Sequence, residues 1–219
     1  MRHAPQPLLS VDEYLEGELT SEVRHEYVAG VAYAMVGTSR RHNRIAGNLL
    51  THLRAAARGS PCQVFMSDLK VRVPTADAFY YPDIAVTCDP GDDQEYYLER
   101  PCLIVEVLSP HTEAIDRREK LQAYRTLPSL QAYLLVSQEV PQVEIYERGG
   151  NGAWTRAVLL GIANYQALLA LAQLARMPEL FGEAFAEHRR FQQDTNEGAI
   201  DLEELDAALE EGRGDLKQG

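Results

Sequence analysis

The sequence predicts an α/β (α+β) fold, a mixed β-sheet with helices on both sides. Three observations carry that expectation. Helix and strand signals interleave along the chain as helix, hairpin, helix, several strands, helix, strands, helix. The run Leu103 to Leu108, LIVEVL, is apolar on both of its alternating faces except for one acid, as a strand buried on both sides should be. A chain of 219 residues, 45% hydrophobic and 25% charged, can bury a core of that kind.

The elements follow in order. Ser10 with Glu13 three residues later forms a capping-box pattern that opens a short first helix. Residues 25–37, HEYVAGVAYAMVG, alternate around Ala29-Gly30 and read as a hairpin. From Ser39 to about Arg58, Ile45, Leu49 and Leu53 recur every four positions, a helix ended by Gly59 and Pro61. Strands are expected at 62–66, 69–73, 80–88 and 102–109, then a helix over 112–127 that stops before Pro128. Further strands fall at 132–137, 143–149 and 153–160, the last two joined by the turn signal Gly150-Asn151-Gly152. Helices broken near Pro178 are expected from Tyr165 to about Phe191. Beyond Gln192 the chain turns acidic and polar, the mark of a mobile tail with one short amphipathic helix, DLEELDAALEE.

Composition narrows the function. No apolar run is long enough to cross a membrane, and the N-terminal stretch does not read as a signal peptide, so none is expected. Cys62, Cys88 and Cys102 stand at no metal-ligand spacing, so reduced, buried thiols in the cytoplasm are the expectation. Net charge is −12, of which residues 183–219 carry −7, with eleven acids against four bases. Such a chain does not grip nucleic acid by bulk charge.

The chemistry begins with Glu106. An ionised carboxylate inside an apolar strand costs several kcal/mol unless a cation or hydrogen-bond donor meets it. Asp83, just after Pro82, is a second acid among apolar strand neighbours. If the two strands pair, both acids converge, and a divalent cation relieves their repulsion. Hard oxygen ligands suit Mg²⁺ or Mn²⁺. On the following helix, Lys120, Leu121, Ala123, Tyr124 and Leu127 form one stripe, which puts a lysine on the inner face. The strand advances roughly 10 Å from Glu106 to Ser109 at ~3.3 Å per residue. A helix folding back from Thr112 retreats about 12 Å by Lys120 at ~1.5 Å per residue. Lys120 therefore lands level with Glu106. The same pattern also fits a purely structural buried ion pair, and Asp83 also fits a turn acid.

The segments YYPDIAVTCDP (80–90), CLIVEVLSPHTEAIDRREKLQAYRTLPSLQAYLLVSQ (102–138) and HEYVAGVAYAMVGTSRRHNRIAGNLLTHL (25–53) resemble the Uma-two family of restriction endonucleases, within the PD-(D/E)XK nuclease superfamily. The likeness spans roughly residues 10–182. It implies a restriction-endonuclease-like domain over 1–182, with 183–219 as an acidic appendage. By the same resemblance Asp83 is the Pro-Asp aspartate, Glu106 the second metal ligand, and Lys120 a lysine displaced into the helix, since Leu108 stands where the strand lysine is expected. Glu26 and His42 also match the family pattern. Glu26 is then a further metal ligand or orients one, or else an exposed hairpin acid. His42 contacts a phosphate or relays a proton, or else is a half-buried helix residue. Ser109 and His111 either border the site or cap the helix. The function implied is Mg²⁺- or Mn²⁺-dependent hydrolysis of DNA phosphodiesters; a two-fold homodimer is the assembly expected on base rates, and the cytoplasm the location expected from the cysteines. The competing reading is a catalytically silent module whose acidic tail recruits a partner, which the net charge favours.

Overall fold

A computed structural model describes residues 8–160. The expected helices of 165–191 and the acidic segment lie outside the described residues.

Helix α1 (Val11–Thr20) starts at Ser10, whose hydroxyl accepts from the Glu13 N–H while the Glu13 carboxylate accepts from the Ser10 N–H. The hairpin is β1 (His25–Val28) and β2 (Val31–Ala34). Its two-residue turn holds Ala29 at φ 48° and Gly30 at φ 86°, the doubly positive geometry that matches strand twist. A Cβ on Gly30 would also lie 2.7 Å from the Leu8 side chain, so glycine is required twice over. Helix α2 (Arg40–Ala56) is capped by Ser39 and buries Ala46, Leu49 and Leu53.

The strands that follow are β3 (Gln63–Met66), β4 (Lys70–Val73), β5 (Ala78–Tyr80), β6 (Ile84–Thr87), β7 (Tyr97–Leu98) and β8 (Leu103–Leu108). After a helical segment, α3 (113–124), come β9 (Ala132–Ser137), β10 (Gln142–Arg148) and β11 (Trp154–Leu160). They build two sheets where one was expected, in the orders β2-β1-β5-β4-β7 and β11-β10-β9-β8-β6-β3.

The single strand expected over 80–88 accounts for that difference. It breaks at Tyr81-Pro82-Asp83, so that β5 belongs to the smaller sheet and β6 to the larger. Pro82 has no N–H to continue a ladder, which favours a break there. A three-residue link thus joins the two sheets, and Asp83 is part of it.

The buried core draws on both sheets and on α3: Val71, Val73 and Tyr80 pack with Ala85, Ile104, Leu108, Tyr133 and Leu135, and with Ala123, Tyr124 and Leu127. A chain of tyrosine rings, Tyr80, Tyr124, Tyr133 and Tyr146, runs through it with centroids 5.3–6.2 Å apart. Helix α1 packs Tyr14 onto Tyr27 and Phe79 of the smaller sheet, and α2 lies against β3 and β8.

The cysteines overturn the expectation of three reduced thiols. Cys62 and Cys88 stand opposite each other just beyond the paired ends of β3 and β6 and form a disulfide, with the Cys102 sulfur 3.5 Å from that of Cys88. Their separation of 26 residues gave no spacing signal. The pairing follows from strand register. No helix among the described residues is long and apolar enough to cross a membrane.

Candidate active site

Glu106 lies in the middle of β8, which pairs antiparallel with β6 and parallel with β9. The β6 pairing sets Ile84 opposite Val105, which brings Asp83, one residue earlier, beside Glu106. The link is direct: the Asp83 N–H donates to Glu106 Oε2 at 3.2 Å, and the Val107 N–H donates to Asp83 Oδ2 at 2.7 Å. Each acid therefore holds the other's strand.

Because β9 runs parallel to β8, the intervening chain must return across the sheet, and α3 is that crossover. It is α-helical over Glu113–Ile115, π-helical over Asp116–Lys120 and α-helical again over Leu121–Tyr124. The uniform α-helix expected over 112–127 is thus interrupted at the residues that face the site. Such π turns recur at functional sites. The inner stripe nonetheless holds: Lys120, Ala123, Tyr124 and Leu127 are all buried, and Leu121 is partly so.

The Lys120 ammonium stands at the focus of three carboxylates. Nζ is 2.9 Å from Glu26 Oε1, 3.0 Å from Glu106 Oε1 and 3.4 Å from Asp116 Oδ1. The Tyr124 hydroxyl reaches Glu106 Oε1 at 3.4 Å. Glu106, Lys120 and Asp116 are 4%, 5% and 2% exposed. Glu26, on β1, points inward from the smaller sheet and accepts from the Tyr81 N–H at 3.2 Å, so it is not an exposed hairpin acid. His42, in the first turn of α2, is buried with Nε2 3.1 Å from Asp83 Oδ2.

Electrostatics follow from this crowding. Burial, together with Asp116, Asp83 and Glu26, drives the Glu106 carboxyl well above the usual carboxylate range despite Lys120. Burial likewise raises Asp116, again against Lys120. Burial alone would lower the Lys120 ammonium, but Glu106, Glu26 and Asp116 outweigh it and hold it well above its ordinary value. The hydrogen bond to Asp83 raises His42 against the opposing effect of burial. Four carboxylates thus share one lysine and one histidine, an excess of negative charge in a buried place.

All five residues expected at the site, Asp83, Glu106, Lys120, Glu26 and His42, line one cleft of about 790 Å³, and Ser109 and His111 border it. Ser109 also caps α3, accepting from the Thr112 N–H at 3.2 Å. Asp116 was not anticipated. The signal was present: it lies four residues before Lys120, on the same stripe extended one turn. Among the described residues, no three His, Cys, Asp or Glu side chains enclose a metal position as they stand, since the acids close on Lys120 instead. Their donor chemistry fits a hard divalent cation: carboxylate oxygens in excess of cations, with Asp116 Oδ1 buried and without a hydrogen bond.

Known proteins resemble this chain in sequence or in fold. The family described as "Uma2: Putative restriction endonuclease" matches residues 11–176. Two uncharacterized proteins of Synechocystis sp. (strain ATCC 27184 / PCC 6803 / Kazusa) are similar along most of their length. One, slr1290, is 41% identical over 165 residues, 75% of this chain and 84% of the relative. The other, sll1609, is 31% identical over 161 residues, 72% of this chain and 91% of the relative. A crystal structure titled as a putative nuclease belonging to DUF820 from Anabaena variabilis ATCC 29413 superposes with a TM-score of 0.58 at 16% identity, covering 77% of this chain and 99% of the other. At that identity the likeness is one of fold.

Proposed function

The chain belongs to the Uma2 family of putative restriction endonucleases, and from that premise we propose that its cleft hydrolyses phosphodiester bonds of DNA with the help of Mg²⁺ or Mn²⁺. One observation carries the reading. Acids from a hairpin, an inter-sheet link and a core strand meet a crossover lysine within a single cleft. Building such a group costs desolvation free energy that an apolar core would avoid, so a structural role alone accounts for it poorly.

Asp83, Glu106 and Glu26 would hold the cation. When bound, it supplies Lewis-acid polarisation of a phosphoryl oxygen and activation of water. The remaining roles belong to the chain. Lys120 places a positive charge where negative charge grows on the phosphate. Before the cation binds, Glu26 and Glu106 hold that ammonium, at 2.9 and 3.0 Å. His42 holds the Asp83 carboxylate in position and keeps a proton at Nε2 beside it. With a net charge of −12 the protein needs the cation as a bridge to an anionic substrate. The same reading takes 1–182 as the catalytic domain, working as a homodimer in the cytoplasm.

The test is cleavage of plasmid and single-stranded DNA with Mg²⁺ or Mn²⁺, comparing wild type with Asp83→Ala and with chelator. Metal-dependent cleavage in wild type and background in the variant is the expected result. Equal cleavage by both proteins, or none by either, ends the proposal.

A second reading, a silent binding module, has one observation in its favour. Among the described residues, the cleft wall carries six acids against two bases, Arg41 and Lys120, and Arg41 is itself paired with Glu139 at 3.1 Å. Calorimetric titration with Mn²⁺ separates the two readings, because a silent module has no reason to bind the ion in a manner abolished by Glu106→Gln.

A further inference from the structure

We propose that Asp116 is a docking point for the Lys120 ammonium, which retreats to it when Glu26 and Glu106 take up a divalent cation. The inference rests on the cation-dependent reading of the cleft.

Three observations lead to it. First, Glu26 Oε1 and Glu106 Oε1 are already engaged by Lys120 Nζ, at 2.9 and 3.0 Å. A cation using those oxygens competes with the ammonium. Second, a displaced buried ammonium needs another partner, because an unpaired charge in such a place costs several kcal/mol. Asp116 Oδ1 is the acceptor at hand: among the described residues it accepts no hydrogen bond, and its nearest cation is Lys120 Nζ at 3.4 Å, longer than either of the other two contacts. Third, the backbone holds Asp116 ready for this. It opens the π-helical turn that ends at Lys120, and its carbonyl accepts from the Tyr133 hydroxyl at 3.0 Å.

The charges agree. Glu26, Asp83, Glu106 and Asp116 carry four negative charges when ionised, against at most two from Lys120 and His42. A divalent cation balances the set only if Lys120 stays within it. Asp116 is therefore a positioning residue: it touches neither substrate nor scissile bond, and it acts through Lys120.

A double-mutant cycle read by Mn²⁺ calorimetry on the full chain tests this without reference to cleavage. Lys120→Gln removes the competing charge while keeping donors for the acids, and is expected to bind Mn²⁺ about tenfold tighter than wild type. Asp116→Asn is expected to bind about tenfold more weakly, with that loss shrinking to less than about threefold in the Lys120→Gln background. Equal weakening by Asp116→Asn in both backgrounds makes Asp116 a ligand or a general field source and overturns the proposal. So does an unchanged affinity in Asp116→Asn alone. A second readout covers the case in which Lys120→Gln does not fold. In the chain with native Lys120, its ¹³Cε resonance is expected to reach different end points at saturating Mg²⁺ in wild type and in Asp116→Asn; the same end point in both proteins, or no movement in wild type that binds the ion, overturns the proposal. Absence of any Mn²⁺ binding by wild type is a separate failure, that of the function proposed for the cleft.

Discussion

Glu144→Gln should weaken the fold most where α3 is anchored. Glu144 is 1% exposed in the middle of β10. Its Oε1 accepts from Arg117 Nη1, and its Oε2 accepts from Arg156 Nη2 at 2.7 Å and Nε at 3.1 Å. Arg117 sits inside the π turn, between Asp116 and Lys120, so this acid fastens the site-bearing crossover to the sheet. A charge-assisted hydrogen bond to a well-buried acceptor contributes about 1.5–3 kcal/mol. The Arg156 side chain is 53% exposed and screened by solvent, so its share is discounted to about 0.5–1 kcal/mol. Gln keeps the volume but turns one amide N–H₂ toward a guanidinium, and the expected loss at pH 7 is about 2–4 kcal/mol. Burial alone would push the Glu144 carboxyl up, but Arg117 and Arg156 overcome it and leave the group below the usual range. The stabilisation is therefore complete above about pH 4.5 and disappears as pH falls through the lowered folded value. Urea denaturation followed by Trp154, the only tryptophan, measures it. A midpoint for Glu144→Gln equal to wild type at pH 7 refutes the reasoning. So does a difference of the same size at pH 7 and pH 3.

Other expectations follow from single features. Leu135→Ala removes a fully buried side chain from the cluster shared by both sheets and α3, and should cost about 2–5 kcal/mol by the same denaturation assay. Ser10→Ala breaks the capping box of α1 and should cost about 1 kcal/mol, with little change in denaturant slope. Thiol titration of oxidised, denatured protein should find one free cysteine, rising to three after reduction; three without reductant rules out the Cys62–Cys88 bridge. In the native state the Cys102 thiol, pushed up to about 11 by burial, should alkylate far more slowly than a free thiol at pH 8.

Local signals read well from sequence, and signals that depend on register did not. The capping box at Ser10, the Ala29-Gly30 turn and the strand at 132–137 are written in neighbouring residues, and the structure places them there. The nearness of Glu106 and Lys120 followed from rise per residue along a strand and a returning helix, and they stand 3.0 Å apart. The break at Pro82 is hidden in a run, 80–88, that reads as one strand, because nothing local says that its two halves enter different sheets. Two-residue β7 is too short to show alternation and exists by pairing with β4. The π turn leaves no periodic mark, since one added residue hardly disturbs an apolar stripe. Asp116 escaped because an acid four residues before an inward lysine reads as an ordinary helix-surface pair.

The parallel pairing of β8 with β9 has a consequence for how such sites vary among proteins. A crossover must travel back beside the strand it leaves, so each height along β8 has a counterpart on α3. An ammonium on α3 can then reach the same point as one on β8 with no alteration of chain path, and Leu108 is free to serve the interior. Pattern searches that demand the lysine at a fixed offset from the glutamate will miss chains built this way. A search keyed to height above the strand would find them.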